Sequence, residues 1–324
     1  MLKSMIKKLI KTTVLLLLIM HFSLIAQMPA FKKCRSDFSI KVRDCTTDLN
    51  IISLSVMPDE VINITVIDSQ YFKDYSIESN NGILTKTEEA LWNWKAPKEP
   101  DIYPIKVSKT GSNSSIIINA IVLVPYDSLK KGYLNGYRIG EYPTIPLKQL
   151  AIYELPGGFI EVTEENKDVL ISPHFRLGEL LSKQDSDYPK YLVLRTRLLL
   201  KLEHILEKVN EKGYVCSNFY IMSGYRTPFY NKAIGNVKYS RHVWGGAADI
   251  FIDENPVDGV MDDLNKDGLN NYKDAEIIYD IIDEMYGHSW YEPFVGGLGL
   301  YKKTKSHGPF VHVDVRGFRA RWGD

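Results

Sequence analysis

The sequence predicts two fold classes in one chain: an all-β part up to about residue 126 and an α+β part after about residue 155. Three observations carry this. Before residue 126, short runs alternate apolar and polar residues with period two and are separated by turn residues, with no helical stretch among them. After residue 155, apolar stripes of helical period interleave with short strand-like runs. The chain has 324 residues, 44% of them hydrophobic and 25% charged, which is enough for two cores and unlike a disordered polymer.

Taken in order, the N-terminus reads as an export signal over residues 1–27. Lys3, Lys7, Lys8 and Lys11 precede the apolar run Val14 to Ala26, and Ala26 supplies a small residue at its end. The run is shorter than the roughly 20 residues a bilayer requires, so a signal peptide is preferred over an uncleaved anchor. The mature chain is then expected to lack a transmembrane segment and to work in the periplasm, the cell envelope or outside the cell. Cys34 and Cys45 lie close enough in sequence to pair, leaving Cys216 single, and their spacing excludes a thiolate zinc site. Lys plus Arg and Asp plus Glu are 40 each, so there is no net charge to gather nucleic acid or an anionic membrane, and no nucleic-acid partner is expected.

Over residues 28–126 the runs "NIISLSV", "VINITVID", "IYPIKVSK" and "SIIINAIVLVP", with the turn "TGSNS", are spaced like strands of an immunoglobulin-like β-sandwich. Such a module positions another domain or holds a protein or wall partner; its fold assigns no chemistry. Residues 127–155, containing "KKGYLNGYRIGEYP", read as a Gly- and Tyr-rich linker. In residues 156–324, "YLVLRTRLLLKLEHILEKVNEKG" predicts a helix with Tyr191, Leu194, Leu198, Leu202, Ile205 and Val209 on one stripe, closed by Gly213. "DAEIIYDIIDEMYG" predicts a second, with Ile277, Ile278, Ile281, Ile282 and Met285 on one side. "NFYIM", "ADIFID" and "FVHVDV" predict a small antiparallel sheet on which these helices pack.

The chemistry sits on those last runs. In "YSRHVWGGAADIFID", His242 and Asp249 flank a glycine turn that can aim both at one point, while Ala247 and Ala248 leave room beside them. In "FVHVDVRG" a strand places His312 and Asp314 on one face and Val311, Val313 and Val315 on the other. Two imidazoles and a carboxylate suit zinc, and three protein ligands with an open fourth position are the arrangement of a catalytic zinc.

With "SGYRTPFYN" upstream, these runs resemble the zinc D-alanyl-D-alanine carboxypeptidases and related peptidoglycan peptidases of the M15 group, whose domain shares its fold with the Hedgehog signalling domain. That family's pattern is S-G-[YF]-R, then S-x-H-x(2)-G-x-A-x-D, then a strand bearing H-x-H or x-V-H-V; here it is "SGYRTPFYN", "SRHVWGGAAD" and "FVHVDVRG", from about Ile171 onward. The resemblance implies zinc ligands His242, Asp249 and His312, substrate contacts from Arg226 to a terminal carboxylate and from Ser240, and cleavage of peptidoglycan peptides. It implies a general base less directly. Where some members carry an acid this chain has Pro309, and where others carry a histidine it has Phe310. His307 matches a third family position and is the favoured group for moving the proton or holding the tetrahedral intermediate, with Asp314 the alternative as base or as support for an imidazole. A zinc-containing binding or signalling module without turnover is the competing expectation.

One insertion stands apart. "DLNKDGLNNYKD" puts Asp263, Asn265, Asp267, Gly268, Asn271 and Asp274 at the first, third, fifth, sixth, ninth and twelfth positions of a calcium loop. It resembles a dockerin-type loop with aspartate in place of the final glutamate, and predicts a structural Ca2+ over residues 263–274.

Overall fold

The computed structural model describes residues 31–67 and 74–323. The export signal expected over residues 1–27 lies outside them. Among the described residues no helix is long and apolar enough to cross a membrane.

The first nine strands are β1 (Arg35–Val42), β2 (Cys45–Leu49), β3 (Ile51–Val56), β4 (Val61–Ile67), β5 (Tyr75–Ser79), β6 (Ile83–Glu88), β7 (Leu91–Lys95), β8 (Ile102–Lys109) and β9 (Ser115–Val122). They form a five-stranded sheet in the order β2-β1-β4-β7-β6 and a four-stranded sheet in the order β3-β9-β8-β5. Period-two alternation is realised directly: on β4, Ile62, Ile64 and Val66 are buried while Val61 and Ile67 face out. The sheets pack face to face, with the rings of Phe38 and Tyr75 centred 5.0 Å apart and those of Trp94 and Tyr103 6.5 Å apart. Within the second sheet, β3 and β9 run parallel.

The cysteine pairing expected from sequence does not form: among the described residues no disulfide joins Cys34, Cys45 or Cys216. The β1–β2 hairpin explains this, because Cys45 faces Val42 at its closed end while Cys34 hydrogen-bonds Asn50 at its open end. Two residues close in sequence are held a whole strand apart.

Residues 127–155, expected as a linker, are packed. Strands β10 (Val124–Pro125), β11 (Tyr133–Leu134) and β12 (Tyr137–Arg138) precede β13 (Gly158–Val162) and β14 (Lys190–Leu192). Leu134, Tyr137, Ile139, Tyr142 and Tyr153 from this stretch join Phe159, Tyr191, Val243 and Trp244 in one aromatic core. The glycines and tyrosines that read as a loop build a buried cluster directly behind the "SRHVWGG" turn.

The remaining elements are α1 (Thr196–Glu211), β15 (Tyr220–Ser223), α2 (Pro228–Ala233), β16 (Ala247–Phe251), α3 (Tyr272–Glu284), β17 (Gly297–Tyr301), β18 (Phe310–Asp314) and β19 (Ala320–Trp322). Helix α1 starts later than its apolar stripe suggests. Tyr191 and Leu192 lie on β14, where their backbones pair with Glu161 and Ile160, so the strand takes residues the 3.6-residue period assigned to the helix. The central sheet runs β15-β16-β18-β17-β19 and is antiparallel except for β19, which lies parallel to β17. Helix α1 bridges sheet and sandwich: Thr196 Oγ1 donates to the Ser53 carbonyl at 2.9 Å, Arg35 Nε to Glu207 Oε1 at 2.8 Å, and Lys201 Nζ to the Asp314 carbonyl at 2.8 Å. From Lys33 onward the chain forms one compact unit.

Candidate metal centre and active-site cleft

Three elements bring three donors together. Strands β16 and β18 are in register so that Asp249 lies directly opposite His312. His242 arrives from outside the sheet, on a single 3-10 turn over Arg241–Trp244 that ends at Gly245 with φ +61°. A Cβ at Gly245 would lie 2.0 Å from the Val193 carbonyl oxygen, so both the positive φ and the close approach require glycine there. Gly224, in "SGYR", is under the same pressure, since a Cβ there would meet Leu180 backbone at 2.7 Å.

All three residues are buried, and they are the group among the described residues whose donor atoms could hold a metal ion. His242 Nε2 lies 3.2 Å from His312 Nδ1 and 3.2 Å from Asp249 Oδ1, and His312 Nδ1 lies 2.8 Å from Asp249 Oδ1. A tetrahedral zinc with bonds of about 2.0–2.1 Å puts its ligand atoms about 3.3 Å apart, so the triangle is close to that size.

The tautomers point the same way. The His242 Nδ1–H donates to the Gly224 carbonyl at 2.6 Å, leaving Nε2 with its lone pair inward. His312 lies between two carboxylates, with Nε2 3.3 Å from Asp314 Oδ2 and Nδ1 2.8 Å from Asp249 Oδ1; when Nε2–H is turned to Asp314, Nδ1 presents its lone pair to the triangle. Burial opposes charge on His312, but the hydrogen bonds to Asp249 and Asp314 outweigh it and raise its pKa. Burial lowers that of His242. Asp249 is held well below the ordinary carboxylate range, burial being overcome by the two imidazoles. The donor set fits zinc.

Asp314 is placed behind the site. It is fully buried, accepts from the Gly297 N–H at 2.8 Å and from Arg316 Nε at 2.9 Å, and supports His312. Of the two roles expected for it, the structure favours positioning an imidazole over acting as base.

A cleft of about 830 Å³ opens over the donors and is lined by His242, Asp249, His312, Arg226, Ser240 and His307 among others. Arg226 Nε donates to Ser223 Oγ at 2.8 Å and Nη2 to Asp249 Oδ2 at 2.6 Å, so the guanidinium is fixed beside the donor triangle. Ser240 precedes the 3-10 turn, but its hydroxyl makes no capping bond to it. The His307 Nδ1–H donates to the Gly308 carbonyl at 2.7 Å, which leaves Nε2 able to accept a proton. Phe310 stacks flat on Tyr301, centroids 4.4 Å apart, and meets the edge of His307 at 5.0 Å.

Residues 173–273 match the family model described as Peptidase M15. Over these residues the chain is similar to M15 peptidases. No curated protein matches the chain. The M15 match holds Arg226, Ser240, His242 and Asp249 and stops before β18, so His312 joins them through strand register beyond the matched segment.

Within this site, sequence reasoning missed Arg316 and Trp322. Arg316 clamps Asp314 and reaches the cleft rim, and its place two residues after Asp314 in "DVRG" was the available signal. Trp322, whose ring centre lies 5.2 Å from that of His312, comes from β19 and left no local signal. The loop over residues 263–274 uses its side chains internally. Asp263 accepts from the N–H groups of Asp267 and Gly268, and buried Asp274 accepts from those of Leu264, Asn265 and Asn271, capping α3.

Proposed function

We propose that the chain is an exported zinc peptidase that hydrolyses peptide bonds of peptidoglycan stem peptides, as a D-alanyl-D-alanine carboxypeptidase or an endopeptidase. The observation that carries this reading is the His242–Asp249–His312 triangle open to a cleft in an M15-type segment. Zinc, when bound by these three residues, supplies Lewis acidity and makes water a nucleophile near neutral pH.

The protein's own residues do the rest. Arg226 uses two of its roughly five N–H donors on Ser223 and Asp249 and offers others to a substrate carboxylate, gripping it in a fixed plane. Ser240, its hydroxyl uncommitted to the turn, hydrogen-bonds the peptide. His307 Nε2 takes the proton of the attacking water and returns it to the leaving amine. Asp314 holds His312 in the tautomer the site needs. In this reading residues 28–126 are an immunoglobulin-like module that holds a wall or protein partner, and the loop over residues 263–274 takes a structural Ca2+ through Asp263, Asn265, Asp267, Asn271 and Asp274.

The test is digestion of purified peptidoglycan by the zinc-loaded chain, with released fragments identified by mass. Arg226→Ala should cripple cleavage next to a free carboxylate while zinc stays bound, and His307→Ala should lower kcat by roughly a hundredfold with little change in KM. A zinc-loaded wild type that releases no fragment would sink the hydrolase reading in favour of a zinc-bound binding module.

A further inference from the structure

A further cavity adjoins the cleft over the donor triangle at His307. This second cavity, of about 670 Å³, shares Met222, Ser306 and His307 with the first. Each alone is of a size that takes a ligand of several hundred daltons, so together they exceed what a dipeptide fills. The second cavity has its own character. Tyr220 and Phe251 stack in its floor with ring centres 4.6 Å apart, and Val260 and Leu269 form its wall. Tyr220 (42% exposed), Val260 (45%) and Leu269 (62%) are apolar side chains left in water on this one surface. Lys303 lines it, and no lining residue carries a carboxylate.

Part of the wall comes from the insertion. Val260 follows β16, and Leu269 lies in the loop over residues 263–274, both beyond the "SRHVWGGAAD" run that supplies the donors. We infer that this second cavity is a specificity subsite for the acyl side of the peptide substrate, seating an apolar side chain that precedes the scissile bond. The inference rests on the peptidase reading and on Arg226 holding the carboxyl end, which leaves the cavity beyond His307 for the N-terminal side. The lining the two cavities share at His307, the apolar floor and wall, and the lone cation that disfavours a basic occupant all converge on that segment. The substrate class is then a peptide extended by several residues before the cut, with an apolar residue among them, and a blocked dipeptide is a poor substrate.

The experiment uses the zinc-loaded full chain. Once the bond cut in purified peptidoglycan is known, a ladder of peptides with that bond and the same carboxyl end is extended on the acyl side by none to four residues, with Leu or Lys at each added position. Wild type should gain roughly tenfold or more in kcat/KM on reaching the position that seats Leu, and Lys should not give the gain. Leu269→Ser and Val260→Ser, two exposed changes made separately, should each flatten the gain through KM while leaving the shortest substrate and the zinc content unchanged. A flat ladder in wild type, or an undiminished gain in both variants, overturns the subsite and leaves the peptidase reading standing. Cleavage of no peptide at all overturns the peptidase reading itself, and the subsite with it.

Discussion

Replacing Asp314 by Asn separates support of the metal centre from support of the fold. Asp314 has no exposed surface, and its carboxylate accepts from the Gly297 N–H, from the backbone and side chain of Arg316 and from His312. Asn keeps one oxygen in place, so the Gly297 bond survives, but it removes the charge that fixes His312 with Nδ1 inward. Loss of such a partner typically weakens metal affinity by about 10–100-fold, or about 1.4–2.7 kcal/mol. The second cost is the charge-assisted bond to Arg316, about 1.5–3 kcal/mol for a buried pair. Arg316 keeps 19% of its side chain exposed, so water offsets part of this and the lower end is expected. Zinc affinity is measured by competition with a chelator of known strength, and stability by urea unfolding of the metal-free chain. The expected outcome is both losses together. Zinc affinity within twofold of wild type, with stability reduced, would refute the role assigned to Asp314 and make it a structural residue only.

His242→Ala or His312→Ala should abolish stoichiometric zinc, read by metal analysis of the purified chain; full zinc in either would break the ligand assignment. Lys201, wholly buried under Asp314, has its pKa pushed down to about 7 by burial, with Arg321 and Arg316 adding to the effect and Asp314 opposing it. Because its folded pKa lies below the unfolded value near 10.4, the unfolded chain binds the extra proton between these limits, and Lys201 makes stability rise with pH from about 7 to 10 by up to about 1.4 kcal/mol per unit. Lys201→Met should therefore be most favourable relative to wild type near pH 7, with the difference shrinking toward pH 10 in urea unfolding; a difference that grows with pH contradicts the burial argument. Calcium should raise the melting temperature by mass action and Asp267→Ala should remove the rise, whereas a melting curve unmoved across a calcium titration would dispose of the ion.

What the sequence by itself determined is local. Period two on "FVHVDV" put His312 and Asp314 on one face of a strand and the valines on the other, and the structure keeps that arrangement on β18. The glycine pair in "HVWGGAAD" required a sharp reversal, and Gly245 makes it with a positive φ. Strand alternation before residue 126 and the later helical stripe were equally readable, because each depends on neighbours within one or two turns of chain. Tertiary structure decided the rest. Periodicity alone left Asp249 and Asp314 both available to a metal; the register of β16 against β18 set Asp249 in the triangle and Asp314 behind it. Pairing with β13 took Tyr191 and Leu192 from the predicted helix, a hairpin held Cys34 and Cys45 apart, and the apparent linker became an aromatic core. Arg316, Trp322 and the cavity beyond His307 also belong to this second class. Register, hairpin ends and cavities are relations between segments distant in the chain, and no local pattern of side chains encodes which segments will meet.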